Sequence, residues 1–279
     1  MTRQYLIFSD MDGTLLDHHN YSHAPAISTL ALLNERNIPV IPNTSKTFAE
    51  LLELRQLIGL SGPFIVENGA AVYIPMDTFT SQPNDTQVRN GFWVKEFTSQ
   101  KSRWLELLEK LAQEYEGQFT HFAKMTTQEI ADATGLTLEQ AGRAAEREYG
   151  EPVMWLGNED DKRNFITAVA DAGATPLMGG RFLHVSGNTN KGVAMQWLIA
   201  EFQRQSFRNQ SSGIQFQAIA LGDGQNDAAM LEAADIAVRI TSPVNPLPAL
   251  IKTENVLTST LEGPAGWAEC VNRILTNTN

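Results

Sequence analysis

The chain has 279 residues, of which 42% are hydrophobic and 19% are charged, a composition typical of a globular protein and not of a disordered one. Its formal net charge of −11 and isoelectric point of about 4.9 disfavour nucleic acid or an anionic membrane as a partner. The single cysteine, Cys270, excludes an intrachain disulfide and favours a reducing compartment, and no apolar run approaches the roughly 18 residues of a membrane helix. We therefore expect a soluble cytoplasmic protein.

The first predicted element is a buried strand over the mostly apolar residues 5–9, which leads into two carboxylates, Asp10 and Asp12, and then Gly13. In an extended chain, residues two apart point the same way, so both carboxylates are expected on one side. Two carboxylates this close repel each other unless a cation neutralises them. The pair indicates a metal site, an acid/base pair or both, although a solvated Asp-Gly turn has the same composition.

A second predicted strand, over residues 38–42, ends in a polar segment that contains Thr44, Ser45 and Lys46. The next helix opens with a capping box over residues 47–50. The strand thus delivers hydroxyl groups and a lysine to a helix N-terminus, where backbone N–H groups favour a phosphate. Ordinary helix capping selects the same residue types, so this segment alone does not establish a phosphate site.

Two local patterns flank this segment. A helix is predicted before it, with an apolar face that includes Ile27 and Leu33. After it, strands over residues 63–66 and 71–74 are joined by an Asn-Gly turn, which predicts a hairpin with Asn68 at its tip.

The composition shifts to Pro, Asp, Thr, Ser, Gln and Asn between residues 75 and 91, which predicts a linker. Beyond it the chain again alternates predicted strands and helices, as expected of a compact insert and not of a loop. We predict a separate α/β cap over residues 84–187, inserted between the two parts of the core, 1–83 and 188–279.

The last section returns to the core pattern. Lys191 stands at the start of a predicted helix, and a strand over residues 216–221 leads into a second polar cluster that contains Asp223, Asn226 and Asp227. Because the carboxyl ends of parallel strands meet at one edge of a sheet, we expect this cluster beside the first acidic pair. Its oxygen ligands suit Mg²⁺. The alternation of strands and helices predicts a doubly wound, mostly parallel α/β sheet.

Residues 8–16, Phe-Ser-Asp-Met-Asp-Gly-Thr-Leu-Leu, resemble the first motif of the haloacid dehalogenase-like phosphatases. Thr44, Lys191 and the cluster over residues 223–227 resemble the remaining motifs, in order. The resemblance implies a Rossmann-like core with an inserted cap. It also implies a Mg²⁺-dependent phosphomonoesterase that works through an aspartyl-phosphate intermediate.

In the roles that this resemblance implies, Asp10 is the nucleophile and Asp12 is the general acid and then the general base. The implied catalytic residues are Asp10, Asp12, Thr44 and Lys191. The implied metal-binding residues are Asp10, Asp12 (through its backbone carbonyl), Asp223, Asn226 and Asp227. The last two would orient the metal waters and Lys191.

Three further segments, residues 42–47, 64–71 and 147–152, look like the mannosyl-3-phosphoglycerate phosphatases. The implied substrate is a small phosphorylated sugar-type acid, and the product would be the compatible solute mannosylglycerate. Such a substrate requires a cation and several hydrogen-bonding groups. The candidate substrate-binding residues are Ser45, Lys46, Asn68, Arg147, Glu148 and Arg181.

Three alternatives stay open. One is a capped phosphatase that acts on glucosyl-3-phosphoglycerate or on a hexose phosphate. Another is a phosphomutase, which would return the phosphoryl group to the sugar. The third is a non-enzymatic acidic module like a response-regulator receiver, but such a module lacks a counterpart of Asp12 and has no use for a cap.

Overall fold

The computed structural model describes residues 2–179, 182–208 and 213–276. The strands of this described part, in chain order, are β1 (Thr2–Ser9), β2 (Val40–Pro42), β3 (Phe64–Val66), β4 (Ala71–Pro75), β5 (Gln87–Arg89), β6 (Phe92–Glu96), β7 (Phe119–His121), β8 (Glu151–Trp155), β9 (Thr175–Gly179), β10 (Phe182–Ser186), β11 (Ile214–Gly222), β12 (Ile236–Thr241) and β13 (Val256–Glu262).

Its α-helices, in the same order, are α1 (Ile27–Glu35), α2 (Phe48–Ile58), α3 (Lys101–Glu114), α4 (Thr127–Thr134), α5 (Leu138–Ala145), α6 (Glu159–Asp171), α7 (Lys191–Arg208), α8 (Ala228–Ala233) and α9 (Gly263–Thr276). No helix in these ranges is both long and apolar enough to cross a bilayer.

The chain divides into two compact units. The first unit comprises Met1–Thr44, Arg55–Lys95 and Asn190–Asn279, and the second comprises Ser45–Leu54 and Glu96–Thr189. The second unit thus includes the start of α2, a segment that the predicted division leaves in the core. The hydroxyl of Thr47 donates to the carbonyl of Arg143 at 3.0 Å, a contact within the second unit.

The main sheet of the first unit has the strand order β13-β12-β11-β1-β2, and each pair of neighbours is parallel. In β1, Leu6, Ile7 and Phe8 are fully buried. A strand covered on both faces has to be apolar throughout, which explains why this part of the sequence does not alternate with polar residues. The predicted parallel sheet is confirmed.

The register of this sheet brings strand ends together. Ser9, the last residue of β1, lies opposite Leu221 of β11 and opposite Pro42 of β2. Beyond the strand end, the N–H of Asp10 donates to the Leu221 carbonyl at 2.9 Å, and the N–H of Asn43 donates to the Ser9 carbonyl at 2.8 Å. The segments that follow β1, β2 and β11 therefore leave the sheet at the same edge.

The local predictions for α1 and α2 have different outcomes. The capping box of α2 is confirmed, because the N–H of Glu50 donates to the Thr47 hydroxyl at 3.1 Å and the N–H of Thr47 donates to the Glu50 carboxylate at 2.8 Å. The predicted burial of Ile27 is wrong, since this residue is 54% exposed. A single 3₁₀ turn precedes α1, and its Ala26 takes the buried position on the face that includes Leu33.

The hairpin predicted around Asn68 is confirmed, since β3 and β4 pair in antiparallel register from Phe64↔Tyr73 to Val66↔Ala71. Its turn contains three consecutive residues with positive φ, over residues 67–69. At Gly69, where φ is 90°, a Cβ atom would lie 2.2 Å from the Asn190 carbonyl oxygen. Only glycine fits this close approach of two backbones.

The second unit contains a separate sheet, with the strand order β7-β8-β10-β9 and antiparallel neighbours. On one face, Trp104, Phe165 and Leu183 form part of an apolar core between this sheet and α3 and α6. Glu151 is buried beside them, where its carboxylate contacts His121 Nδ1 at 2.7 Å. The unit thus has a hydrophobic core of its own.

Candidate active site

The N-terminus of α7 places a lysine between two carboxylates. Lys191 is the first residue of the helix and is 0% exposed, and its Nζ donates to Asp10 Oδ1 and to Asp227 Oδ1, each at 2.6 Å. Burial lowers the pKa of Lys191, but the charges of Asp10 and Asp227 outweigh burial and raise this pKa above its usual value. An ammonium can be buried only with such partners, so Lys191 stays charged.

The carboxylate of Asp223, which follows β11, completes a buried acidic cluster. Among the described residues, oxygens of Asp10, Asp223 and Asp227 lie within 4.8 Å of one another. Burial raises the pKa of Asp10 to about 7; the charge of Asp227 adds to this effect and that of Lys191 opposes it. Burial also raises the pKa of Asp223 and of Asp227. Three acids and one ammonium leave an excess of two negative charges when all are ionised.

The donor atoms of this cluster fit Mg²⁺. Carboxylate oxygens are hard ligands, and Mg²⁺ is usually held in proteins by one or two carboxylates together with water and phosphate. A divalent cation would balance the excess negative charge of Asp10, Asp223 and Asp227. It would also remove the charge repulsion that contributes to the raised pKa of Asp10.

Asp223 is held in place from two sides. The hydroxyl of Thr14 donates to Oδ1 at 3.2 Å, and the Asn245 amide donates to Oδ2 at 2.8 Å. The backbone at Gly13 passes so close that a Cβ atom there would lie 2.6 Å from Asp223 Oδ2, and its φ is 76°. The predicted turn at Gly13 is therefore a turn that needs glycine for conformational and for steric reasons.

Asp12 lies in the tight turn that follows β1. This turn is closed by hydrogen bonds from Leu16 N to the Met11 carbonyl at 2.8 Å and from Gly13 N to the Leu16 carbonyl at 2.9 Å. The Asp12 carboxylate does not belong to the acidic cluster formed by the described residues. Its assignment as a metal ligand concerns the backbone carbonyl and stays a prediction, as does its role as general acid and base.

Thr44, Asn68 and Asn226 are brought together by the hairpin turn. The carbonyl of Thr44 accepts from the N–H of Asn68 at 2.9 Å. The side-chain amide of Asn226 donates from Nδ2 to Asn68 Oδ1 at 3.2 Å. The turn thus joins the segment after β2 to the segment after β11, and a role of Asn226 at the metal site stays a prediction.

Several of the candidate substrate-binding residues belong to the second unit. Arg147 donates from Nη2 to the Ser45 carbonyl at 3.2 Å, and Lys46 Nζ lies 3.5 Å from Glu50 Oε1. The carbonyl of Glu148 accepts from a backbone N–H at 2.7 Å. Arg181 lies outside the described residues. A role of these residues in substrate binding stays a prediction.

Residues that the motifs do not mark also support the site. Asn43 donates from Nδ2 to the Lys191 carbonyl at 3.0 Å, so it holds the backbone of the buried lysine. Thr14 and Asn245 hold Asp223. Asn43 directly follows β2, so a search for polar residues just beyond each predicted strand would have found it. Asn245 lies farther along the loop after β12, and no sequence signal marks it.

Comparison with known proteins gives a family. A model of the family described as haloacid dehalogenase-like hydrolase matches residues 7–128. A protein of Methanococcoides burtonii (strain DSM 6242), named glucosyl-3-phosphoglycerate/mannosyl-3-phosphoglycerate phosphatase, is 34% identical over 277 residues, which are 99% of this chain and 99% of the relative.

Solved structures with the same fold include a phosphatase of the haloalkanoate superfamily from Bacteroides thetaiotaomicron. It has a TM-score of 0.64 and 17% identity, over 97% of this chain and 94% of that one. A sugar phosphatase of subclass IIB of that superfamily has a TM-score of 0.63 and 14% identity, over 97% of this chain and 99% of that one. At these identities the likeness shows the fold alone. With a relative at 34% identity along its whole length, the chain belongs to the haloacid dehalogenase-like hydrolase family and is a phosphoric monoester hydrolase.

Proposed function

We propose that this enzyme is a Mg²⁺-dependent phosphatase that removes phosphate from mannosyl-3-phosphoglycerate through an aspartyl-phosphate on Asp10. The observation that supports this chemistry best is the buried cluster in which Lys191 contacts both Asp10 and Asp227 at 2.6 Å, with Asp223 beside them. A single ammonium does not neutralise three buried acids. The site is therefore suited to a divalent cation and a phosphate ester together.

In this proposal Asp10 and Asp223 hold Mg²⁺ through their carboxylates and Asp12 holds it through its backbone carbonyl, while Asp227 orients Lys191. When bound, Mg²⁺ would stabilise negative charge on the phosphoryl oxygens and orient the phosphate. Asp10 must be ionised to act as a nucleophile, whereas burial, followed by the charges of Asp227 and Asp12, raises its pKa and opposes this state. The charge of Lys191 and its hydrogen bond favour the ionised form of Asp10.

The reaction then has two steps. A carboxylate oxygen of Asp10 attacks phosphorus, and the bond between phosphorus and the ester oxygen breaks while Asp12 gives its proton to the departing alkoxide. Asp12, now ionised, takes a proton from a water molecule that attacks the aspartyl-phosphate. This second step releases inorganic phosphate and returns both carboxyl groups to their starting states. Lys191 and Thr44 would bind phosphoryl oxygens in both steps.

The choice of substrate rests on two findings. The relative from Methanococcoides burtonii, at 34% identity, carries both glucosyl-3-phosphoglycerate and mannosyl-3-phosphoglycerate in its name. The segments over residues 42–47, 64–71 and 147–152 resemble mannosyl-3-phosphoglycerate phosphatases. We propose the mannosyl compound as the substrate and the glucosyl compound as the second candidate.

We also propose that the enzyme acts in the cytoplasm, a reducing compartment in which the buried Cys270 stays a free thiol.

Phosphate release tests this proposal. The full chain is assayed on mannosyl-3-phosphoglycerate, glucosyl-3-phosphoglycerate and a panel of hexose phosphates, with Mg²⁺ and with a chelator. We expect the highest kcat/KM on the mannosyl compound and no phosphate release after chelation. A preference of orders of magnitude for a simple hexose phosphate would reject the substrate, and full activity in chelator would reject the metal. Isomerised sugar phosphate without free phosphate would reveal a phosphomutase.

A further inference from the structure

A loop over residues 242–252, here called the strap, follows β12 and contacts the acidic cluster. The Asn245 amide donates to Asp223 Oδ2 at 2.8 Å, and the side chain of Ser242 hydrogen-bonds the same carboxylate. Thr14 donates to the other oxygen, Oδ1, at 3.2 Å. Both oxygens of Asp223 are therefore held by neutral donors, and the strap provides the donor on Oδ2.

The strap is also attached away from Asn245. The backbone N–H of Ala249 donates to Gln225 Oε1 at 3.1 Å, and the N–H of Lys252 donates to Glu232 Oε2 at 3.0 Å. Gln225 lies in the 3₁₀ turn that follows β11, and Glu232 lies in α8. Because side chains of these two elements hold the strap backbone, the amide of Asn245 is presented in a defined position.

We propose that Asn245 is a positioning residue, whose amide fixes the orientation of the Asp223 carboxylate for binding Mg²⁺. This inference rests on the proposed function, in which Asp223 is a metal ligand. A carboxylate oxygen has two lone-pair sites, so accepting one hydrogen bond leaves the other site for a cation. A neutral amide is suited to this task because it adds no positive charge that would compete with Mg²⁺.

The physical reason is the cost of ordering the carboxylate. Asp223 is 2% exposed, so few water molecules can replace a lost donor. Without the amide the carboxylate keeps its hydrogen bonds to Thr14 and Ser242 but is less restricted in orientation, and Mg²⁺ binding then has to restrict it further. Hydrogen-bond partners of metal ligands typically change metal affinity about 10-fold to 100-fold when they are removed. Asn245 itself is exposed, so we expect an effect near the lower end of this range.

The test compares Mg²⁺ binding by the wild-type chain and by Asn245→Ala, each without substrate. Apparent Kd values are obtained from the Mg²⁺-dependent rise in Tm at constant ionic strength. We expect the Kd of Asn245→Ala to be about tenfold higher. Val244→Ala is the matched control, since this neighbouring side chain is 49% exposed, and its Kd should equal that of wild type. Glu232→Ala, which removes the acceptor for the strap backbone, should raise the Kd by a smaller factor.

A second readout is kcat on the phosphate ester, measured at rising Mg²⁺ concentration. For Asn245→Ala, kcat should return to the wild-type value at saturating Mg²⁺, because only the affinity for the cation is reduced. Equal Kd values in wild type and Asn245→Ala, or a kcat that stays low at saturation, would overturn the inference. A wild-type chain that binds no Mg²⁺ would instead overturn the proposed metal site, and this inference with it.

Discussion

Replacing Lys191 by Met should strongly destabilise the first unit. The side chain is 0% exposed and its ammonium contacts Asp10 and Asp227 at 2.6 Å each, so the substitution leaves two buried carboxylates without their cation. Removing one partner of a buried ion pair typically costs about 3–5 kcal/mol. For a domain of 150–250 residues, about 2–4 °C of Tm is lost per kcal/mol, so Tm should fall by roughly 6–20 °C.

The assay is differential scanning calorimetry of the metal-free chain at pH 8. Lys162→Met is the matched control, since Lys162 pairs with a largely exposed Glu159 at 3.4 Å in α6. Exposed ion pairs contribute about 0–1 kcal/mol to stability, so the Tm of this control variant should fall by at most a few degrees. The decrease in Tm caused by Lys191→Met should also become smaller at pH 5, where Asp10 and Asp227 can take up protons. Equal losses for the two variants would refute the reasoning that Lys191 neutralises the cluster.

Three further results are expected. Asp10→Asn should abolish phosphate release and formation of an acid-stable phosphoenzyme while the circular dichroism spectrum stays unchanged; full-rate turnover would contradict its role as the nucleophile. Gly13→Ala should cost about 1–3 kcal/mol from backbone strain and should also remove the Mg²⁺-dependent rise in Tm, because its Cβ would lie 2.6 Å from Asp223 Oδ2. Gly91 has a φ of 79°, and a Cβ atom there would have no neighbour within 4 Å. Gly91→Ala should therefore lose stability through backbone strain but keep the Mg²⁺-dependent rise in Tm. The same response to Mg²⁺ in both variants would contradict a steric effect of residue 13 on Asp223. The pKa of Asp10 is raised from an ordinary 3.8 to about 7 in the metal-free folded chain. Between these two pH values the folded chain holds a proton that the unfolded chain has lost. The contribution of Asp10 to stability therefore falls as the pH rises from about 4 to about 7. Mg²⁺ binds the ionised carboxylate, so the rise in Tm on adding Mg²⁺ should be larger at pH 8 than at pH 6. A rise in Tm that does not depend on pH would contradict the raised pKa of Asp10.

Short-range patterns were sufficient to predict the edge of the sheet at which the site lies. Apolar runs before Asp10 and before Asp223 predict strands that are buried on both faces, and such strands occur in parallel sheets. The carboxyl ends of parallel strands meet at one edge, so two acidic loops after two such strands are expected at the same edge. They lie close together because β1 and β11 are neighbours in the sheet. The capping box of α2 and the hairpin turn at Asn68 were predictable for the same reason, since each depends on residues only a few positions apart.

Strands without a clear apolar run were not predicted. β7, β9 and β13 mix polar and apolar residues, and each lies at the edge of its sheet. An edge strand is defined by hydrogen bonds to one neighbour and can leave much of its surface exposed, so its composition carries little signal. The burial of Ala26 in place of Ile27 also depends on a tertiary feature, the 3₁₀ turn before α1.

The amino-acid pattern predicted the strands that have a clear apolar run, the helices between them, the two acidic loops and a cation at the start of α7. Which atoms meet depends on tertiary packing. Lys191 contacts Asp10 across 181 residues of chain and Asp227 across 36, and Asn245 reaches back 22 residues to Asp223. The physical reason is that hydrophobic periodicity specifies which face an element buries, whereas distances between polar side chains depend on how the buried faces pack together.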